Sequence, residues 1–201
     1  MDSYKLTTKS QEALSNAVQS AATAGHPHVE PIHLLLALLA QNDGIARPLL
    51  EAAGADASVV ATQAKAALDR LPAATGATVA APGLSRPAIA VVNAAAEVAN
   101  SLSDEYVSTE HLLVGLAKDG GATVTDLLPK PDALLDAFTA VRGNRRVTTD
   151  DPEATYQALD KYSVDLTARA REGSAGHRDV RFTNREPMGS HDRAHGAGRR
   201  R

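Results

Sequence analysis

Few side chains in this chain are equipped to do chemistry, and their spacing limits what they do. His26 and His28 flank a proline in HPH, and two imidazoles in one loop are the start of a metal site. No third ligand follows at metal spacing, so no metal is expected. His33 and His111 sit 78 residues apart, in IHLLLALL and EHLLVGLA. A histidine repeated in one local frame points to packing near a helix start rather than to catalysis. There is no Cys, which excludes disulfides, thiolate nucleophiles and Cys-based metal sites. No Ser-His-Asp set or carboxylate pair is suggested by spacing. The pattern G-x-x-x-x-G-K-[ST] is absent, as is any Gly-Lys pair, so nothing cradles a phosphate. The reading is a binding module with no catalytic residue, no cofactor and no metal, and not an enzyme.

The elements that would position these residues come in two copies. Residues 29–39, VEPIHLLLALL, align with 107–117, VSTEHLLVGLA, and the match extends without a gap from 6–50 to 84–128. Ten positions are identical, among them Leu6 with Leu84, Ala17 with Ala95, Val29 with Val107, Leu35 with Leu113 and Leu50 with Leu128. Two copies are too few for an open solenoid. The duplication therefore predicts two repeats packed face to face about a pseudo-two-fold.

Each repeat reads as four helices. In the first, Leu14, Ala17, Val18 and Ala21 recur at helical spacing, and Gly25 is placed to end that helix. Thr8 and Gln11 have capping-box spacing at its start. Pro31 opens a second helix with Leu34, Leu35, Leu38 and Leu39 along it. A short third helix spans about 45–53, and a fourth follows Asp56 and ends at Leu71, before Pro72. The second repeat gives helices over 85–102 and 108–118, a short turn near Leu127, and a helix over 132–141. Residues 72–83, PAATGATVAAPG, read as the connector. The expected organisation is all-α: a two-repeat domain over 1–143 (repeats 6–71 and 84–141), a linker with a helix over 144–173, and a disordered basic tail over 174–201.

Composition and charge narrow the partners. Aromatic residues make up only 3% of the chain, against 43% hydrophobic residues dominated by Ala and Leu. Residues 1–141 carry 8 basic and 15 acidic side chains, which argues against nucleic acid as the partner of the helical part. The tail 174–201 carries 7 basic and 3 acidic ones and reads as a solvated segment. The longest apolar run is too short to span a bilayer, and no signal peptide is apparent, so a cytoplasmic protein is expected.

The pairing of LTTKSQEAL with LSRPAIAVV, and of VEPIHLLLALL with VSTEHLLVGLA, resembles the duplicated N-terminal domain of the Clp-type AAA+ unfoldases. ATYQALDKYSVDLTARAREG resembles the stretch that joins this domain to the first ATPase module in the ClpB family of disaggregases. The resemblance covers about residues 1–173, and the sequence departs from the family after Gly173, where a nucleotide-binding module would follow. It implies weak capture of exposed apolar segments of unfolded or aggregated proteins; the alternative is adaptor docking, as in the degradation-linked ClpC family. It also implies Thr7, Asp104 and Glu110 as polar residues beside the bound segment, with Val92, Ala94 and Val98 as groove candidates; taken alone, Thr7 reads as an N-cap, Glu110 as a carboxylate suited to the first turn of its helix and Asp104 as a solvated loop residue. Helix 85–102 is apolar nearly all round, which fits either core packing or groove lining. At the repeat offset, Glu110 aligns with Ile32 and Asp104 with His26, so the acids break the repeat symmetry. Neither acid is expected in the core. Without ATPase modules the chain is expected to be a monomer.

Overall fold

In the computed structural model the described residues are 5–73, 82–143 and 146–152, all within one compact unit. Eight helices and two very short strands are described. In chain order they are α1 (Thr8–Thr23), β1 (His28–Val29), α2 (Pro31–Ala40), α3 (Ala46–Ala52), α4 (Ala57–Leu68), β2 (Gly83–Leu84), α5 (Arg86–Ser101), α6 (Thr109–Asp119), α7 (Ala122–Thr125) and α8 (Pro131–Arg142).

The helix ends follow from local chemistry. Thr7, rather than Thr8, is the N-cap of α1, and its hydroxyl accepts from the Ser10 N–H. Ser85 caps α5 in the same way through the Ala88 N–H, and Asp56 caps α4 through Ser58 and Val59. Gly25 (φ 70°) and Gly54 (φ 85°) take the left-handed conformation that follows a helix end. The fourth helix stops at Leu68, short of the expected Leu71. α7 precedes Leu127 instead of centring on it, because Gly121 opens the turn with φ 75°.

Repeat-equivalent positions are equivalent in burial. Leu34, Leu35 and Leu38 of α2 and Leu112, Leu113 and Leu116 of α6 are all at most 1% exposed. α2 and α6 are the central helices; almost every side of each is buried, as a helix apolar all round requires. α5 packs closely on α6, with Val91 and Ala95 lying against Gly115. Gly115 makes this approach possible. A Cβ there would stand 2.5 Å from the Val91 carbonyl oxygen, whereas the equivalent position in α2 is Ala37.

The pseudo-two-fold is visible in the main chain. β1 pairs with β2 in parallel, setting Val29 beside Leu84, and an isolated parallel bridge sets Leu6 beside Val107. The offset of 78 that carries Leu6 to Leu84 also carries Val29 to Val107, so each pairing maps onto the other. The hydrogen bonds map likewise: Ser85 N–H donates to Val29 O at 3.0 Å, and Thr7 N–H to Val107 O at 3.1 Å. Each repeat thus lends a main-chain edge to the other. Sequence pattern did not predict these pairings.

The body also runs past the boundary expected at 143. Val147 is fully buried, and its N–H and carbonyl both bond to the loop after α5. The linker helix and basic tail expected beyond Pro152 lie outside the described residues.

Candidate functional site

The chemistry-bearing residues gather at two equivalent positions, one per repeat. In both, the third helical residue is a histidine that turns back to the N-cap. His33 Nδ1 accepts from the Glu30 N–H at 2.9 Å, and His111 Nδ1 accepts from the Ser108 N–H at 3.0 Å. A main-chain N–H can only donate. Both imidazoles therefore carry their proton on Nε2, and that proton points into the fold. What it meets differs between the repeats.

In the first repeat His33 Nε2 lies 2.8 Å from Nδ1 of His26. Burial is the main influence on His33; it holds the imidazole below its ordinary pKa, the facing His26 adds to the effect, and the Glu30 carbonyl opposes it. Glu30 extends the network into the second repeat by accepting from the Ser85 hydroxyl at 2.9 Å.

In the second repeat His111 Nε2 donates to Asp104 Oδ2 at 3.1 Å. Arg142 also donates to that oxygen, and the Val147 N–H donates to Oδ1 at 2.8 Å. Burial alone would raise the Asp104 carboxyl's pKa; the bonds from His111, Val147 and Arg142 outweigh it and hold the pKa below the usual carboxylate value. Phe138 packs edge-on against His111 and lies beneath the Arg142 guanidinium, 5.1 Å from it. This buried ion pair ties the loop after α5 to α6 and α8.

The residues singled out by resemblance fall into two groups. Thr7 is brought beside the segment that holds Asp104 and Glu110, because the Leu6–Val107 bridge sets the start of α1 against Val107. All three are buried, at 0%, 8% and 0% exposure. The expectation that the two acids lie outside the core is thus corrected. Asp104 is drawn in by its three donors. Glu110 sits in the first turn of α6, where its Oε2 accepts from Thr109 at 3.3 Å. Its Oε1 is buried and has no hydrogen-bond partner among the described residues. Ala94 is buried on α5, at 2% exposure. Val92 and Val98 are half-buried on α5, while Ile89 of the same helix is 46% exposed.

An open cleft of about 340 Å³ lies beside Asp104, lined by Lys5, Ala96, Ala99, Asn100, Tyr106 and Val107 among others. Lys5 Nζ stands 5.7 Å from the Tyr106 ring at its rim. Sequence reasoning missed Lys5 and Tyr106; the one available signal was an aromatic between two repeat-aligned elements in a chain with so few aromatics. The HPH stretch gathers no metal site: no cluster of three or more ligand-type side chains occurs among the described residues. No helix among them is long and apolar enough to cross a membrane.

A duplicated helical domain with main-chain edges exchanged between its halves is the architecture of one class of chaperone N-domains. The sequence matches the Clp repeat (R) N-terminal domain over residues 5–130, and the chain belongs to that family. It is 56% identical over 177 residues to the chaperone protein ClpB of Mycobacterium tuberculosis H37Rv, covering 86% of this chain and 21% of that one. It is 51% identical over the same length to the ClpB of Mycobacterium leprae. The chain thus spans about one fifth of the length of these relatives. Its fold is similar to that of the Hsp104 N-terminal domain from Candida albicans, with a TM-score of 0.64 at 18% identity, covering 74% of this chain and 99% of that one. The family match falls on the non-catalytic N-terminal domain, outside any ATPase module.

Proposed function

We propose that this chain is the client-capturing N-domain of a ClpB-like disaggregase, acting in the cytoplasm. It holds exposed apolar segments of unfolded or aggregated proteins weakly and reversibly, and it makes or breaks no covalent bond. The observation that carries this reading is the open cleft lined by Lys5, Asp104, Tyr106 and Val107, at the edge where the Leu6–Val107 bridge joins the two repeats, in a chain 56% identical to a ClpB. A short extended segment buries little area there, and association entropy consumes much of the gain, so the dissociation constant is on the order of micromolar to millimolar. Val92 and Val98 flank the site on α5 as apolar contacts.

Titration with unfolded casein tests this reading. Backbone resonances of residues 5–8 and 104–107 should shift, with smaller shifts at Val92 and Val98. Tyr106→Ala should weaken binding while leaving the melting temperature nearly unchanged, because the ring is only half-buried at the rim. Shifts confined to α4, or normal binding by the variant, would refute the assignment. Docking of one folded adaptor is the second outcome, seen as tight stoichiometric binding of an adaptor without response to casein.

A further inference from the structure

We infer that residues 146–151 are an intramolecular strap that occupies the client edge, and that a client must displace it; this rests on the client-binding reading above. Three hydrogen bonds through its main chain are among the contacts that hold the strap. The Val147 N–H donates to Asp104 Oδ1 at 2.8 Å, the Glu105 N–H donates to the Val147 carbonyl at 2.9 Å, and the Thr8 N–H donates to the Asp150 carbonyl at 2.8 Å. On the strap side all three use main-chain groups. Only the Val147 side chain is buried within the stretch; residues 146 and 148–151 are exposed.

That is the way an extended chain of arbitrary sequence is held: main-chain groups fill fixed donors and acceptors, and one side chain fills a pocket. The receiving groups are a carboxylate oxygen, the Glu105 N–H and the N–H that opens α1, which has no partner inside its own helix. Any unfolded segment offers the same N–H and C=O groups. The strap therefore defines the ligand it excludes: an extended segment with a medium-sized aliphatic residue at the Val147 position. Its contact is small, the Val147 side chain and the buried Pro152 that follows the strap being separated by exposed residues, so the closed state is displaceable. Burial of Asp104 is then in part a property of the closed state, because the Val147 N–H reaches it from the strap. A strap closed in about nine molecules of ten lowers the apparent client affinity about tenfold.

The test uses the full chain. Hydrogen exchange at the Val147 amide and tryptic cleavage after Arg146 are followed with and without saturating unfolded casein. Val147→Pro removes the N–H while keeping an apolar side chain, and its casein affinity is measured beside that of the unaltered chain. The strap predicts faster Val147 exchange and cleavage on casein addition, and a variant that binds about tenfold tighter. Casein binding with unchanged Val147 exchange, and equal affinity in the variant, would overturn the strap and leave the client-binding reading intact. Failure of both proteins to bind casein would overturn both. Should the variant lose its helical circular dichroism, the exchange and cleavage results on the unaltered chain decide alone.

Discussion

Nδ1 of His26 lies 2.8 Å from Nε2 of His33, both rings buried, where the second repeat places an aspartate against its histidine. The His33 imidazole titrates below its ordinary value, chiefly because of burial. The unfolded chain therefore takes up a proton near pH 6.5 that the folded chain resists. Stability from this group is complete above about pH 6.5 and is lost as pH falls through the lower folded value. Thermal melts from pH 7.5 to 5 should show a falling midpoint. His26→Asp, which copies the second repeat, should flatten that fall, since a carboxylate favours the charged imidazole. An unchanged slope in the variant would contradict this account of the pair.

Asp104→Ala should destabilise the domain by about 3–5 kcal/mol, because Arg142 and the Val147 N–H lose their acceptor in a buried setting. The Asp104 carboxyl titrates below its usual value, so its contribution is present at neutral pH and lost as pH falls through that lower value. Urea unfolding at pH 7 and at pH 3 checks both statements. The variant should lose the acid-dependent part of stability that Asp104 supplies.

Leu35→Ala and Leu113→Ala should each cost roughly 2–5 kcal/mol, by lost burial and cavity formation at positions fully buried in both repeats. A cost below about 1 kcal/mol at either, measured by denaturant unfolding, would break the equivalence of the two copies.

Gly115→Ala should destabilise despite the better helix propensity of alanine, since the new Cβ meets the Val91 carbonyl at 2.5 Å and the α5–α6 contact must open. The reciprocal change, Ala37→Gly, should cost about 1–2 kcal/mol, the propensity difference plus the lost burial of the Ala37 methyl. Thermal midpoints of both variants check these outcomes.

Glu110→Met should leave stability unchanged or raise it, because the substitution removes a buried oxygen without a hydrogen-bond partner and keeps the side chain's length. If Glu110 serves the client, casein binding should fall in the same variant. A large loss of stability would instead assign Glu110 to holding the fold.

Much of the fold was legible because the repeat is written in apolar side chains. Leu34, Leu35 and Leu38 recur at helical spacing, and their partners 78 residues on recur in the same frame. The two strands were not legible, since two residues each leave no alternation to read. His33 and His111 were recognisable as one slot at a helix start, but their bonds to the N-cap N–H were not. Asp104 was misjudged for a physical reason. An acid in a loop is solvated by default, and the donors that draw it inward, Arg142 and the Val147 N–H, arrive 38 and 43 residues later. The burial of Ala94 was not legible, because an alanine on an apolar helix carries no sign of which face is covered.

The exchanged edges, Val29 beside Leu84 and Leu6 beside Val107, make this chain a dimer fused end to end. Neither half owns the partner strand its own helix start needs. A first repeat expressed alone would have to recruit a second copy, and its folding would depend on concentration. The connector removes that dependence by supplying the partner at a high effective concentration. Because the halves are fused, they need not be identical: one carries the histidine pair, the other an acid, an arginine and the segment that bonds to that acid.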